Sequence, residues 1–240
     1  MTATDAPDRT PGWLLDETAN AGRENLDAAH VARYDGKEDG SASEEVQLLR
    51  TLGLDERSVV VDLGAGTGQL TLAVAPYCAR VVAVDVSPVM LDRLRTKVAD
   101  HGLSNVDVVR AGFLTYRHTG EPADVVYSRY ALHHLPDAWK AVALTKMRAA
   151  LRTGGLLRLW DVVYHFDPED AEDRLEAWCA TGGDGIVGQW SRAELEEHVR
   201  DEHSTFTWLL EAMIDRAHLR VEDASYSEDG IFARYLLRAV

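Results

Sequence analysis

Residues 59–70 read Val59-Val60-Val61-Asp62-Leu63-Gly64-Ala65-Gly66-Thr67-Gly68-Gln69-Leu70. The apolar run at the start predicts a short buried strand, and the three glycines spaced two apart predict a tight turn into a helix. Glycines let backbone amides approach a ligand closely, and the first turn of the following helix presents free N–H groups to that ligand. The stretch therefore predicts a small-molecule cofactor site at the end of a strand.

The spacing of the glycines distinguishes two classes of cofactor site. A dinucleotide-binding fingerprint places its third glycine three positions after the second, where this chain has Gln69. The pattern Gly64-x-Gly66-x-Gly68, preceded by Asp62, instead resembles the first motif of the class I S-adenosylmethionine-dependent methyltransferases. This resemblance implies S-adenosylmethionine as the cofactor and S-adenosylhomocysteine as the product.

Composition narrows the possible partners. The 240 residues, 46% of them hydrophobic, suit one α/β domain with elaborations. The formal net charge of −15 disfavours nucleic acid and anionic membranes as partners. Two cysteines make no disulfide framework, no apolar run is long enough to cross a membrane, and residues 1–11 carry no targeting signal. We therefore expect a cytoplasmic, reduced protein.

The chain divides into three predicted parts. Residues 1–12 are polar and form a flexible tail, and residues 13–57 form an N-terminal helical cover that includes a helix from Ser43 to Leu54, capped by Ser43. Residues 58–240 form the methyltransferase domain, with a helical insertion or lid at 166–217. The insertion contains three helices, predicted at 170–179, 191–200 and 204–217, and the second opens with a Ser-x-x-Glu capping box.

Strands and helices alternate through the predicted domain. Strands are expected near 58–63, 81–85, 106–110, 123–128 and 156–163, and the chain closes with a hairpin formed by 219–222 and 231–237. Such alternation predicts an α/β fold with a parallel sheet and helices on both faces. The resemblance implies a Rossmann-like seven-stranded sheet with six parallel strands and the last antiparallel.

Asp85 ends the second predicted strand, where the family places an acid that binds the cofactor's ribose. A carboxylate accepts hydrogen bonds from two vicinal hydroxyls at once, which suits this role. The alternative is that Asp85 caps the next helix, although Ser87 already supplies a cap. The resemblance also assigns Asp62 to organising the glycine turn, with a simple turn residue as the alternative. The remaining cofactor contacts that it implies near these strands are Gly64, Ala65, Gly66, Gly68 and Val86.

The segment after the third strand departs from the family pattern. The family often places an acid there to bind the adenine amino group, but residues 109–114 read Val-Arg-Ala-Gly-Phe-Leu. We therefore expect backbone groups near Gly112 to hold the adenine edge and Phe113 to pack on its face. The alternative is that Phe113 belongs only to the core.

Residues 127–137, Tyr-Ser-Arg-Tyr-Ala-Leu-His-His-Leu-Pro-Asp, resemble the corresponding segment of methyltransferases related to ubiquinone and menaquinone biosynthesis. Ser128 and Arg129 should face the cofactor, since ligands bind at the carboxyl ends of parallel strands. Either His133 or His134 is a candidate general base, and the alternative is a histidine that only positions its neighbours. Tyr34 is expected to fold over the cofactor, as N-terminal tyrosines of this family often do.

Methyl transfer depends mainly on positioning, because the sulfonium is already an activated electrophile and the reaction is an in-line displacement. The acceptor is predicted to be a small organic molecule that offers an O, N or C nucleophile. Four tryptophans between the fifth strand and the end of the insertion favour an apolar or aromatic acceptor, unless they only attach the insertion to the sheet. These tryptophans are Trp160, Trp178, Trp190 and Trp208.

The sequence also bears on metal binding, oligomeric state and alternative functions. Glu194 and His198 lie four residues apart on one predicted helix, a spacing typical of ordinary surface pairs, so we expect no metal. The sequence is compatible with a homodimer. The rival functions are a nicotinamide-dependent oxidoreductase, disfavoured by Gln69, and a non-catalytic S-adenosylmethionine-binding protein.

Overall fold

A central β-sheet with helices on both faces dominates the computed structural model, which describes residues 11–22, 25–27, 31, 41–183 and 190–240. The strands are β1 Val59–Leu63, β2 Arg80–Asp85, β3 Val106–Arg110, β4 Ala123–Arg129, β5 Leu151–Tyr164, β6 Thr205–Phe206, β7 Leu219–Tyr226 and β8 Phe232–Ala239. The α-helices are α1 Ala42–Thr51, α2 Gln69–Val74, α3 Pro88–Asp100, α4 Asp137–Ala150, α5 Ala171–Ala180, α6 Arg192–Asp201 and α7 Thr207–Arg216. Short 3₁₀ turns cover Ala75–Tyr77, Leu132–His134 and Pro168–Asp170.

The strand order of the main sheet is β3-β2-β1-β4-β5-β8-β7. Strands β1 to β5 pair in parallel, whereas β8 runs antiparallel to both β5 and β7. Six strands of this path therefore share one direction and the last strand of the chain opposes them, which confirms the predicted sheet. The chain order reverses direction across the sheet between β1 and β4, so the loops after these strands line a crevice where ligands bind in such folds.

Alternate side chains of the strands pack against helices on opposite faces of the sheet. On one face, Val59 and Val61 join a core with residues of α4 and α7, such as Leu144 and Ile214. On the other face, Val60 joins a core with residues of α1 and α2. This two-sided burial explains why β1 is a continuous apolar run rather than an alternating one.

Several predicted element boundaries were wrong, and the predicted strand 219–222 extends to Tyr226. The first helix begins at Ala42 and not after Ser43, and its cap residue Ser41 makes no side-chain capping bond, since its hydroxyl accepts from Nη1 of Arg129 at 2.5 Å. Strand β5 begins at Leu151, because a bulge opposite Ala123 and Val125 lets the strand continue through its glycines. The last insertion helix begins at residue 207, because 205–206 add the short strand β6 beside β5.

Helix α1 is attached to the sheet by a buried ion pair as well as by apolar contacts. Glu45 of α1 accepts two hydrogen bonds from Arg158 of β5, at 2.7 Å and 2.8 Å, and both side chains are almost fully buried. The capping box at the start of α6 forms as predicted. Within the described ranges, no helix has the length and apolar character needed to cross a bilayer.

Candidate functional site

The glycines of the turn after β1 all have positive φ angles, of 76° at Gly64, 53° at Gly66 and 92° at Gly68. Side chains disfavour this conformation, which explains the choice of glycine. A Cβ on Gly64 would overlap Ala131, and one on Gly68 would overlap Leu94 of α3. A Cβ on Gly66 would meet no atom within 4 Å. Gly66 therefore borders open space, whereas Gly64 and Gly68 allow close packing.

Asp85 connects the glycine turn to the start of α3. Its Oδ2 accepts a hydrogen bond from the backbone N–H of Gly66 at 2.8 Å, and its Oδ1 accepts one from Ser87 at 2.8 Å. The cap of α3 is Ser87, whose hydroxyl accepts from the N–H of Met90. Burial raises the pKa of Asp85. Two carboxylate oxygens carry about four lone-pair positions, so Asp85 keeps acceptor capacity for a ligand.

Asp62 lies behind the turn rather than on the wall of the pocket. Its side chain is buried, and its Oδ2 accepts a hydrogen bond from the Thr71 hydroxyl at 2.6 Å. Burial raises the pKa of Asp62 to about 6, although the Thr71 hydrogen bond opposes this shift. Asp62 therefore joins the strand end to α2, which is the arrangement of a residue that organises the turn.

A pocket at the carboxyl ends of β1 to β4 brings together most of the predicted site residues. Those that line it are Gly64, Gly66, Asp85, Val86, Gly112, Phe113, Arg129 and His134. Those that lie outside its lining are Asp62, Ala65, Gly68, Ser128 and His133. Tyr34 lies outside the described residues. Phe113 both lines the pocket and belongs to the core, so the two alternatives for this residue are not exclusive.

The N-terminal segment supplies pocket residues that sequence reasoning missed. Glu17, Ala21 and Asn25 line the pocket beside the loop after β3. The Glu17 carboxylate accepts hydrogen bonds from the N–H of Leu114 at 3.0 Å and from the hydroxyl of Thr115 at 3.1 Å. No local motif marks Glu17, because its partners lie nearly a hundred positions away in sequence.

His133 sits between two carboxylates. Its Nδ1 contacts Oδ1 of Asp161, and its Nε2 lies 3.0 Å from Oε2 of Glu202. Burial opposes a charge on the ring, but the two carboxylates outweigh it and raise the pKa of His133 to about 10. Asp161 also accepts hydrogen bonds from the backbone N–H groups of Leu132 and Val162. His133 therefore holds its proton at neutral pH.

His134 has the opposite electrostatic setting. Burial and the neighbouring charge of His133 lower the pKa of His134 to about 3. The two rings lie 4.3 Å apart between centroids, and His134 lines the pocket. Its Nδ1 is buried and has no hydrogen-bond partner among the described residues. Of the two adjacent histidines, His134 thus presents a neutral imidazole ring to the pocket.

The insertion completes this histidine cluster, which we define as His133, His134, Asp161, His198 and Glu202. Nδ1 of His198 lies 2.5 Å from Oε2 of Glu202, and its Nε2 contacts the hydroxyl of Ser204 at 2.9 Å. A charged residue such as Asp161 among the buried, mostly apolar residues 159–164 of β5 is a signal that could have indicated a buried ion pair. Nothing local in the sequence linked it to Glu202.

The histidine cluster has the composition of a metal site but the spacing of ion pairs. Single ligand atoms of His133, His198 and Glu202 lie within 4.8 Å of one another. Nitrogen-to-oxygen contacts of 3.0 Å and 2.5 Å are shorter than the roughly 3.4 Å expected between ligands in tetrahedral zinc geometry. Glu194 is instead used in the capping box with Ser191. We interpret the cluster as ion pairs, and the absence of a metal stays a prediction.

The tryptophans of the insertion region occupy different environments. Trp160 is buried beneath Arg129, whose guanidinium lies 3.8 Å from the centroid of the indole ring. Trp178 packs edge-on against His198 and so helps to attach α5 to α6. Trp190 and Trp208 are 42% and 58% exposed. Only the first of the four adjoins the pocket, through its contact with Arg129.

Comparison with known proteins identifies the family. Residues 60–155 match the methyltransferase domain family. The chain is 32% identical over 183 residues to an uncharacterised methyltransferase of Exiguobacterium sibiricum, an alignment that covers 69% of this chain and 81% of the relative. The chain belongs to the class I S-adenosylmethionine-dependent methyltransferases. A second methyltransferase, from Geobacillus kaustophilus, is 28% identical over 182 residues and is covered over 82% of its length.

Solved methyltransferase structures share the fold at lower identity. An S-adenosylmethionine-dependent methyltransferase of Aquifex aeolicus superposes with a TM-score of 0.60 at 17% identity, covering 88% of this chain and 98% of that one. One from Clostridium acetobutylicum gives a TM-score of 0.63 at 13% identity, over 84% and 92% of the two chains. These similarities support the class I methyltransferase architecture of the sheet and its helices.

Proposed function

We propose that this methyltransferase transfers the methyl group of S-adenosylmethionine to an O, N or C nucleophile of a small organic acceptor. The observation that carries the proposal is the pocket at the carboxyl ends of β1 to β4, which joins the glycine turn, Asp85 and His134 in one cavity. A fold alone does not assign an activity, so the proposal is argued from the residues of this pocket.

The residues present fit the cofactor. Gly66 leaves space for a ligand at the turn, and the Asp85 carboxylate lines the pocket at the end of β2, where it can accept from the ribose hydroxyls. Val86 and Phe113 provide apolar surface for the adenine, with Gly64 and Gly112 offering backbone at the pocket wall. When bound, S-adenosylmethionine supplies an electrophilic methyl group on its sulfonium.

The chain's own contribution is to position the acceptor and to hold charges in fixed places. His134, and not His133, is the histidine available to accept a proton, because both nitrogens of His133 engage carboxylates. The lowered pKa of His134 keeps its lone pair free but makes it a weak base. Acceptors that lose a proton easily, or that need not lose one, therefore suit this pocket best.

An apolar or aromatic acceptor suits the β4 side of the pocket. Tyr130 and Leu135 line this side next to His134, and the Arg129 guanidinium lies over the ring of Trp160. The formal net charge of −15 further favours a small acceptor over nucleic acid.

The first test is calorimetric titration of the full chain with S-adenosylmethionine, S-adenosylhomocysteine and NADH. Asp85→Asn removes the charged acceptor and should weaken binding of both sulfur ligands by about tenfold to a hundredfold. Asp92→Asn is the matched control, because Asp92 lies on the exposed face of α3 and pairs with Arg95. It should leave both affinities unchanged.

The titrations distinguish a methyltransferase from an oxidoreductase, and a turnover assay distinguishes it from a non-catalytic binding protein. Saturable binding of both sulfur ligands, weakened only by Asp85→Asn, supports the proposed cofactor site. Binding of NADH in their place would favour an oxidoreductase. Release of S-adenosylhomocysteine in the presence of a candidate acceptor would then exclude a protein that binds the cofactor without turnover.

A further inference from the structure

The acid that is missing after β3 has a spatial substitute from the N-terminal segment. Gly112 stands at the position where the chain leaves β3 for the pocket, and a Cβ built on Gly112 would overlap Cδ and both carboxylate oxygens of Glu17. The Glu17 carboxylate therefore occupies the space in which a side chain at position 112 would begin. Glu17 and Gly112 both line the pocket.

Glu17 also makes the hydrogen bonds that an acid at position 112 would make locally. Its Oε1 accepts from the N–H of Leu114, and its Oε2 accepts from the Thr115 hydroxyl. The backbone then turns, with the N–H of Tyr116 donating to the carbonyl of Gly112 at 2.9 Å. An Asp or Asn at the first position of such a turn typically accepts from the N–H two or three residues later. Glu17 performs this capping from a distant part of the chain.

The position of Glu17 along the sheet edge indicates which part of the cofactor it would meet. The strands lie in the order β3-β2-β1-β4, so Asp85 at the end of β2 separates the β3 side of the pocket from the β4 side. If Asp85 holds the ribose, the adenine and the methionine moiety extend in opposite directions from it. The β3 side is lined by Ala111 and Phe113, which suit a flat apolar ring, and His134 lies on the β4 side.

We propose that the Glu17 carboxylate accepts a hydrogen bond from the exocyclic amino group of the cofactor's adenine. This assignment rests on the proposed function, because it requires S-adenosylmethionine in the pocket. The donors to the Glu17 carboxylate all belong to residues 113–115 of the loop after β3, and Glu17 also lines the pocket, so a ligand in the pocket lies within its reach. A buried carboxylate gains from a further donor, since burial otherwise disfavours its charge.

The anchoring of residues 11–22 supports a role in binding. Leu14 and Leu15 pack against the main core, and the ring of Trp13 stacks on that of Trp139 in α4 with parallel planes. Glu17 is therefore held at the pocket by the packing of its own segment and by the loop after β3. It would distinguish an amino group, which donates, from an oxo group, which only accepts.

The test compares two ligands that differ at position 6 of the purine and in the proton that the 6-oxo form carries on N1, so the change in their affinity ratio on Glu17→Gln isolates the contribution of Glu17. S-adenosylhomocysteine carries the 6-amino group, and S-inosylhomocysteine carries a 6-oxo group in its place. In calorimetric titration, the wild-type chain should prefer S-adenosylhomocysteine by about tenfold to a hundredfold. Glu17→Gln should remove most of this preference, because the amide can donate to the oxo group. A role of Glu17 in structure alone would weaken both ligands equally.

Two further variants keep the assignment testable if Glu17→Gln lowers stability. Asp16→Asn is the matched control, since Asp16 is exposed and caps only its own turn through Thr18 and Ala19. It should leave the preference unchanged. Glu17→Ala combined with Gly112→Asp moves the carboxylate to the end of β3 and should restore the preference that Glu17→Ala removes.

The outcomes distinguish this assignment from the function on which it rests. A wild-type chain that binds neither sulfur ligand would overturn the proposed function, and the assignment with it. Wild-type binding of both ligands with equal affinity, or an unchanged preference in Glu17→Gln, would overturn the assignment alone. Loss of the preference in Glu17→Gln, with Asp16→Asn unaffected, supports it.

Discussion

The glycine turn and the histidine cluster border the same pocket but are assembled in different ways. The turn and its partner Asp85 lie between residues 62 and 85, and a direct hydrogen bond joins them. The cluster draws its members from residues 133–202, including β5 and the insertion. One region depends on backbone conformation within a short stretch, and the other depends on charges brought together by the fold.

This difference predicts different responses to substitution. At the glycine turn, an added methyl group meets backbone strain and neighbouring atoms, so the cost is steric. In the histidine cluster, removal of one charge leaves another buried without compensation, so the cost is electrostatic. The predictions below test this contrast.

The largest effect is expected for Asp161→Ala. The Asp161 side chain is 2% exposed and compensates His133 while accepting from two backbone N–H groups. Its loss should lower the free energy of unfolding by about 3 to 5 kcal/mol, measured by urea denaturation at pH 7. Asp107→Ala, at an exposed pair with Arg80, should cost less than about 1 kcal/mol. Equal costs for the two variants would contradict the cluster's electrostatic role.

Gly64→Ala should have the next largest effect. The positive φ angle and the overlap with Ala131 together predict a loss of about 2 to 4 kcal/mol in unfolding free energy. Gly66→Ala should cost about 1 to 2 kcal/mol, because no atom lies near its added Cβ. Gly66→Ala should instead weaken S-adenosylhomocysteine binding, since its methyl group enters the open space. A similar stability loss in both variants would show that overlap at Gly64 is relieved easily.

Sequence reasoning succeeded where the relevant contacts are local. The predicted boundaries of β1 to β4 lie within a residue or so of those observed, because β-branched and apolar residues between turns mark each strand, including the partly buried edge strand β3. The capping box of α6 was predicted for the same reason, since both of its residues lie within one turn. The glycine spacing indicated the cofactor class because backbone geometry follows directly from glycine.

The same reasoning failed where contacts depend on tertiary structure. Glu17 meets the turn after β3, and Glu202 meets His133, across separations that no local pattern records. The start of α1 was misplaced because Ser41 and Ser43 are equally suitable caps by residue type. His133 and His134 are adjacent in sequence, but their surroundings shift their pKa values in opposite directions. The pKa of His133 is raised and that of His134 is lowered.

A smaller effect is expected in the dependence of stability on pH. The pKa of His133 is about 10 in the folded chain and about 6.5 when unfolded, so its stabilising proton is fully present below pH 6.5. The contribution is lost as pH rises towards 10, and unfolding free energy should fall by about 2 to 3 kcal/mol between pH 7 and 9. His134 acts in the opposite direction, because its lowered pKa costs stability as pH falls below 6.5.

Urea denaturation at several pH values tests this sign. Glu202→Gln removes one of the two charges that raise the pKa of His133, so its stability should decline less steeply above pH 7. Stability that is constant or rising between pH 7 and 9 in the wild-type chain would contradict a protonated His133.

The smallest effect is expected for Phe113→Leu and concerns the boundary between core and pocket. Phe113 lines the pocket and is also part of the core, so the substitution should lower both stability and cofactor affinity. Loss of an aromatic contact is worth about 0.5 to 1.5 kcal/mol, which corresponds to a roughly twofold to tenfold weaker affinity for S-adenosylhomocysteine by calorimetry. Tyr116→Leu is the control, because Tyr116 packs against the same core without lining the pocket. If both variants kept full affinity, Phe113 would serve the core alone, and the recognition of adenine on the β3 side would depend on Glu17 and the backbone at Gly112.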